Sequence, residues 1–73
     1  MATINPHLLQ PSWIRQSHRD NAATAYYRPV LMRLGGTLAC KRICKTAGGA
    51  MLYARRIHER WVRLYDAAMK EQA

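Results

Sequence analysis

The stretch GAMLYARRIHERWVRLYDAAMKEQ, residues 49–72, decides the fold that the sequence predicts. At about 100° per residue, its apolar and aromatic side chains occupy one half of a helical wheel, with His58 among them. Its charged side chains occupy the other half, and only Leu52 and Ala67 depart from this division. The pattern predicts an amphipathic helix with a basic outer face. Its predicted partner-binding apolar face consists of Tyr53, Ile57, Trp61, Leu64, Tyr65 and Ala68.

A second helix is predicted over about 29–47. Pro29 suits the first turn of a helix, where its missing N–H costs nothing, and a residue before proline, here Arg28, avoids the helical region. The pair Gly48-Gly49 indicates a tight hinge between the two helices. A stripe of mostly small residues on the second helix predicts a close-packing groove, because small side chains let another backbone approach. The groove consists of Met32, Gly36, Ala39, Cys40 and Ile43.

The first twenty residues are predicted to form a docking arm. Asn5-Pro6 is a turn signal, and Pro11 precedes a short helix that runs to about His18. Asp20-Asn21 supplies an N-cap for helix-forming residues that start at Ala22. The predicted division is therefore an N-terminal arm at 1–20 and a small helical domain at 21–73.

These elements predict an all-α protein, an extended N-terminal arm followed by a helical hairpin with helices at about 29–47 and 49–72. Alternating β-branched residues, which favour strands, are scarce. A chain of 73 residues buries only about 60% of the surface that its unfolded form exposes. Two cysteines are too few for a disulfide scaffold, so we expect a partner to complete the fold.

The charge of the chain is strongly basic. Twelve Lys and Arg residues face four acids, which gives a net charge of +8, and nine of the twelve are Arg. Such a balance attracts nucleic acid, anionic lipid head groups or the acidic face of a protein. The block at 27–48 has no acid at all. The predicted polyanion or acidic-partner contacts are Arg28, Arg33, Lys41, Arg42, Lys45, Arg55, Arg56, Arg60 and Arg63.

The sequence predicts neither a metal site nor a cofactor. Cys40 and Cys44, with His18 or His58, provide ligand types that zinc accepts, but recognised zinc sites use closely paired cysteines and histidines. The histidines of this chain are isolated. We therefore interpret both cysteines as small packing residues.

The sequence also predicts no catalytic residues. The only serines are Ser12 and Ser17, both in the arm, and no two of the four acids form an acid–base pair across a cleft. A nucleophile, a base and an orienting group cannot be assembled, so the chain is not predicted to be an enzyme and has no predicted small-molecule substrate.

The aromatic residues Tyr53, Trp61 and Tyr65 leave three interpretations open. The first interpretation is a core or interface stripe. The second is the membrane-facing side of an interfacial helix, and the third is a stacking platform for RNA bases. The third is weakened because the aromatics lie opposite the arginines on the helix. A transmembrane helix of about 18 or more apolar residues and a secretory signal are both absent from the sequence.

The favoured function is a non-catalytic accessory or adaptor subunit of a larger assembly, placed in an organellar membrane complex. The acid-poor start of the chain, the small-residue groove, the aromatic-edged helix and the excess of Arg favour the periphery of the mitochondrial inner membrane. Its partners would be proteins, with anionic lipid or RNA as further contacts. The alternatives are a small basic nucleic-acid-binding protein of ribosomal or nucleoid type, and a homodimeric regulatory protein. The cytoplasm is the alternative location.

Overall fold

The computed structural model describes residues 4–17 and 24–72, which form a three-stranded antiparallel sheet followed by one long helix. The strands are β1 (Gln10–Ser17), β2 (Ala25–Arg33) and β3 (Gly36–Ala39), and the helix is α1 (Ala47–Gln72). The strand order is β1-β2-β3, so β2 lies in the centre. A 3-10 turn, Pro6–Leu8, precedes β1. The fold is α+β.

The all-α prediction is wrong, because the region predicted as the helix 29–47 forms most of β2, all of β3 and the start of α1. Leu34 and Gly35 form the turn between β2 and β3, and Gly35 has φ +87°, as the third position of a type II turn requires. On either side, Leu31 pairs with Leu38. A glycine pair between two apolar runs is a hairpin signal. Here this signal outweighs the helical spacing of Leu31, Leu34 and Leu38.

The short helix predicted after Pro11 is also absent. β1 pairs with β2 from Gln10 opposite Met32 to Ser17 opposite Ala25. β1 accommodates Pro11 because it is an edge strand, where a backbone nitrogen that faces away from the sheet needs no partner. The predicted N-cap at Asp20-Asn21, the helix start at Ala22 and the arm boundary at 20–21 lie outside the described residues. The helix predicted from Ala22 to Tyr27 is wrong from Ala25 onwards, where β2 begins.

The core is small and lies where β2 meets the first part of α1. Pro29, Val30 and Leu31 are almost completely buried. Since successive strand side chains point to opposite faces, both faces of β2 are covered at this point. On α1, Ala50 and Ala54 have no exposed surface and lie one turn apart on the same side. Their small side chains allow the helix to pack closely on the sheet.

The helix predicted over 49–72 is present, and it begins two residues earlier, at Ala47. Thr46 is its N-cap, since the Thr46 hydroxyl accepts a hydrogen bond of 3.0 Å from the Gly49 N–H, which would otherwise lack a helical partner. The predicted hinge at Gly48-Gly49 is therefore wrong, because both glycines lie in the first turn of α1. No second helix precedes them in the described part of the chain, so no hinge is needed.

The protein is elongated along α1. The helix has 26 residues, which corresponds to about 39 Å at 1.5 Å per residue, and the principal extents are 52 × 22 × 16 Å. The radius of gyration is 14.5 Å, whereas about 11 Å is typical of a compact chain of this length. Both buried helix residues are in the first third of α1. The remainder of the helix is only partly covered by its own chain.

Candidate binding surfaces

An apolar groove runs along the C-terminal half of α1, beside the residues that precede β1. We call it the distal groove, and its volume is about 320 Å³. Among its large apolar side chains, Leu64 is 61% exposed, and Ile4 and Met69 are each 41% exposed. Its lining residues are Ile4, Pro6, Trp61, Leu64, Tyr65, Ala68, Met69 and Gln72.

Two histidines hold the 3-10 turn against α1, and Pro6 of this turn lines the distal groove. The His58 Nε2 lies 2.8 Å from the carbonyl oxygen of Pro6. Because a carbonyl only accepts, the Nε2 of His58 carries the proton. The His7 Nε2 lies 2.8 Å from the Asp66 carboxylate, and the His7 ring meets the Tyr65 ring edge-on at 6.1 Å. The sequence placed His58 in the apolar half of the helix but did not predict this hydrogen bond.

A second groove, the proximal groove, lies between β3, the segment that follows it and the middle of α1. Its volume is about 390 Å³. No carboxylate is among its lining residues, which are Leu31, Leu38, Ala39, Cys40, Lys41, Arg42, Tyr53, Ile57, Arg60 and Trp61. The Arg42 guanidinium lies 4.9 Å from the centre of the Tyr53 ring, within the range of a cation–π contact.

A bulge after β3 places Lys41 and Arg42 in this groove. Cys40 donates its N–H to the Pro29 oxygen at 3.0 Å, and Cys44 and Tyr27 exchange hydrogen bonds of 2.7 and 2.8 Å. Between these two contacts, the three residues 41–43 lie opposite Arg28 alone. Extra residues in one strand bend it and redirect its side chains. The redirected side chains reach α1, as the contact of Arg42 with Tyr53 shows.

Arg28 belongs to the predicted polyanion contacts, but the protein itself occupies its Nε and Nη1 donors. Its Nε donates to the Gln16 side chain at 2.8 Å, and its Nη1 donates to the carbonyl oxygens of Cys40 at 2.7 Å and Lys41 at 3.3 Å. The guanidinium also lies over the Tyr26 ring, 5.8 Å from its centre. The half-buried Arg28 therefore ties β1, β2 and the bulge together.

The other predicted cationic residues are exposed and lie in several places. Arg33 is at the end of β2, and Lys45 immediately precedes the N-cap of α1. Of the predicted set, only Lys41, Arg42 and Arg60 line the proximal groove. The remaining members of the predicted set are on α1 and line neither groove: Arg55, Arg56 and Arg63.

The predicted apolar face of α1 is divided between the two grooves. Tyr53 and Ile57 line the proximal groove, and Leu64, Tyr65 and Ala68 line the distal groove. Trp61, which is 40% exposed, lines both. The sequence did not single out Ile4, Pro6 and Met69 as lining residues. The sequence predicted a turn at Asn5-Pro6. The packing of this turn on α1 depends on contacts between residues far apart in the chain, which the sequence pattern does not show.

The predicted close-packing groove does not form as one surface. Its members were expected to share a face of a helix, but they lie on β2, β3 and the bulge. The pairings of Val30 with Ala39 and of Arg33 with Gly36 put Met32 and Ala39 on one face of the sheet and Gly36 on the other, because strand side chains alternate. Ile43 lies in the bulge and is 45% exposed.

Both cysteines are free and partly buried. Burial raises the pKa of the Cys40 thiol, the charge of Arg28 opposes this shift, and neighbouring Cys44 adds to it. Within residues 4–17 and 24–72, there is no group of three or more His, Cys, Asp or Glu side chains that could hold a metal ion. Over the same ranges, no helix has the length and apolar character needed to cross a membrane.

In comparisons with known proteins, no family model, no curated protein and no solved structure matches this chain. The two grooves and the residues that line them are therefore the basis for any statement about function.

Proposed function

We propose that this protein is a non-catalytic adaptor that binds a partner protein in the distal groove. The observation that supports this most directly is the incomplete burial of the C-terminal half of α1, where Trp61, Leu64 and Met69 are 40–61% exposed. Fully burying a large apolar side chain contributes about 1.5–3 kcal/mol. A partner that covers these three side chains would gain a substantial part of this stabilisation. A continuous apolar groove of this kind is typical of an interaction site.

The partner we propose presents an amphipathic segment with apolar side chains along one side and acidic side chains beside them. The apolar side would fill the distal groove, as a helix fills a hydrophobic groove in other complexes. The acidic side chains would meet a chain whose net charge is +8. The same charge disfavours a second copy as the occupant, because two copies repel each other.

The predicted placement in an organellar membrane complex stays a prediction. One of its reasons, a small-residue groove on a second helix, is absent from the described fold. The proposal depends only on the exposed groove and on the charge of the chain.

Two matched substitutions on α1 test this proposal. Leu64 lies in the distal groove and is 61% exposed, whereas Leu52 is 51% exposed and lines neither groove. Tagged wild-type protein, Leu64→Asp and Leu52→Asp are used to recover partners from the native host, and the bound proteins are quantified. We expect one partner that wild type and Leu52→Asp retain and that Leu64→Asp loses by at least about tenfold, the loss for about 1.4 kcal/mol.

Two results would contradict the proposal. Equal retention of the partner by Leu64→Asp and Leu52→Asp would exclude the distal groove as its binding site. Concentration-dependent dimerisation of purified wild-type protein that Leu64→Asp abolishes would identify a second copy as the occupant.

A further inference from the structure

We infer that the proximal groove binds single-stranded nucleic acid, with Lys41, Arg42 and Arg60 at the phosphates and Trp61 stacked on a base. This site adjoins the distal groove, because Trp61 lines both, but its ligand and its cationic side chains are not those of the proposed protein-binding site. Its first support is the concentration of charge, since the groove is lined by three cationic side chains and no carboxylate. Phosphate contacts of this type bind without regard to sequence.

The cations of the groove are not neutralised within the described part of the chain. Among the described residues, the contact recorded between a basic and an acidic side chain joins His7 to Asp66, and neither of these lines the proximal groove. Lys41, Arg42 and Arg60 are all exposed. An anionic ligand would therefore gain their full attraction without breaking an existing ion pair.

The second support is an aromatic surface beside these charges. Tyr53 is already covered by the Arg42 guanidinium, whereas Trp61 is 40% exposed. On α1 alone the aromatics face away from the arginines, but the bulge brings Lys41 and Arg42 across to them. Exposed aromatic rings next to basic side chains are the usual combination in proteins that bind single strands.

A single strand fits this arrangement better than a duplex. In a duplex both faces of each base are stacked on neighbouring bases, so a tryptophan in a shallow groove cannot reach a base face. A single strand offers a free base face for Trp61 together with a flexible phosphate backbone for the bulge. An acidic peptide would match the charges, but it has no planar group that requires the exposed indole.

The test measures binding of fluorescein-labelled oligo(dT) and oligo(rU) to the full chain at several salt concentrations. The Lys41→Gln/Arg42→Gln variant is compared with Arg55→Gln/Arg56→Gln, which removes the same charge from exposed positions of α1 that do not line the groove. Each phosphate contact to a single strand contributes about 0.7 to the slope of log K against log salt. We expect Lys41→Gln/Arg42→Gln to reduce this slope by about 1.4 and the control to leave it nearly unchanged.

Trp61 variants test the stacking contact separately from charge. Trp61→Leu should weaken binding by about tenfold, the loss expected for one stacked base, without changing the salt slope. Trp61→Phe should retain most of the affinity. Leu52→Ala, at a position that lines neither groove, should bind oligonucleotide as wild type does. Circular dichroism of each variant confirms that α1 is intact. Arg60→Gln replaces Lys41→Gln/Arg42→Gln if that variant fails to fold, and it should reduce the slope by about 0.7.

Three outcomes would overturn the inference. Equal loss of affinity in the two double variants would show that binding is a diffuse charge effect. Unchanged affinity in Trp61→Leu would exclude base stacking. An oligoglutamate peptide that displaces the oligonucleotide, and whose own binding falls in Trp61→Leu, would identify an acidic protein segment as the ligand.

Discussion

The guanidinium of Arg28 donates a hydrogen bond of 2.7 Å to the carbonyl oxygen of Cys40. In a regular antiparallel pair, this oxygen would accept from the backbone N–H of the residue opposite. That residue is Pro29, which accepts from the Cys40 N–H but has no N–H of its own. Arg28 thus supplies the donor that its neighbour lacks. The same guanidinium reaches Lys41, so the bulge that shapes the proximal groove depends on Arg28.

Replacing Arg28 should destabilise the protein and disorder the bulge. Arg28→Ala removes the donors to Cys40, Lys41 and Gln16, and losing partners of this kind costs about 1–3 kcal/mol. Chemical denaturation of the full chain measures the change in the free energy of unfolding. Arg15→Ala, at an exposed arginine of β1, is the control and should cost less than about 0.5 kcal/mol.

A double-mutant cycle tests whether Arg28 compensates for Pro29. Pro29→Ala provides a backbone N–H that can donate to Cys40, so Arg28→Ala should cost about 1 kcal/mol less in that background. If Arg28→Ala costs the same in the Pro29→Ala background as in the wild-type protein, the compensation we describe does not contribute to stability.

Alanine substitutions at three glycines should have different effects. Gly35 has φ +87°, so Gly35→Ala should cost about 1–2 kcal/mol. A Cβ on Gly48 would meet nothing within 4 Å, so Gly48→Ala should stabilise α1 by up to about 1 kcal/mol. A Cβ on Gly49 would lie 3.1 Å from the Thr46 hydroxyl oxygen, which reduces or removes this gain. Thermal unfolding followed by circular dichroism ranks the three, and destabilisation by Gly48→Ala would argue against its place in the helix.

Removing the N-cap of α1 should lower stability. Thr46→Ala deletes the hydroxyl that accepts from Gly49, which typically costs about 1 kcal/mol. Thr46→Ser keeps this acceptor and should remain close to wild type. Urea denaturation measures both, and equal losses in the two variants would assign the effect to the threonine methyl group.

The His58 side chain should control how firmly the N-terminal segment is held. His58→Ala removes the hydrogen bond to the Pro6 oxygen and should increase amide exchange at residues 5–9, with little change in β2. Arg56→Ala, on the exposed side of the same helix, is the control. Unchanged exchange at residues 5–9 in His58→Ala would show that the His7–Asp66 contact suffices.

The partly buried thiol of Cys40 should react more slowly than a thiol in the unfolded chain. Because burial raises its pKa, the thiolate fraction at a given pH is smaller in the folded protein than in the unfolded chain. Alkylation of Cys40 in a Cys44→Ser variant should therefore be slower in buffer than in urea. The midpoint of the plot of alkylation rate against pH should lie at higher pH in buffer. The folded state keeps this proton where the unfolded chain has already lost it. The stability of the folded state therefore falls as the pH rises from the unfolded pKa of Cys40 through its folded pKa. Equal alkylation midpoints in the two conditions would contradict the shift.

The errors of sequence interpretation have specific physical causes. Leu31, Leu34 and Leu38 have the spacing of a helix, but Leu31 and Leu38 also lie symmetrically about a turn at Leu34 and Gly35, and they pair across it. Local periodicity could not distinguish a helix from a β-hairpin over these leucines. Strand pairing becomes favourable only when both strands and the helix that covers them are present. Pro29 was interpreted as a helix start, but β2 accepts it because Arg28 compensates for the missing donor.

The sequence by itself determined α1, the basic charge and the division of the helix into an apolar and a charged half, because these depend on residues close together in the chain. Tertiary structure alone decided that the chain is α+β, that two histidines hold Pro6 on α1, and that the apolar half borders two different grooves. It also decided that Lys41 and Arg42 lie beside Tyr53 and Trp61. These features require contacts between distant residues, which helical periodicity along the chain does not encode.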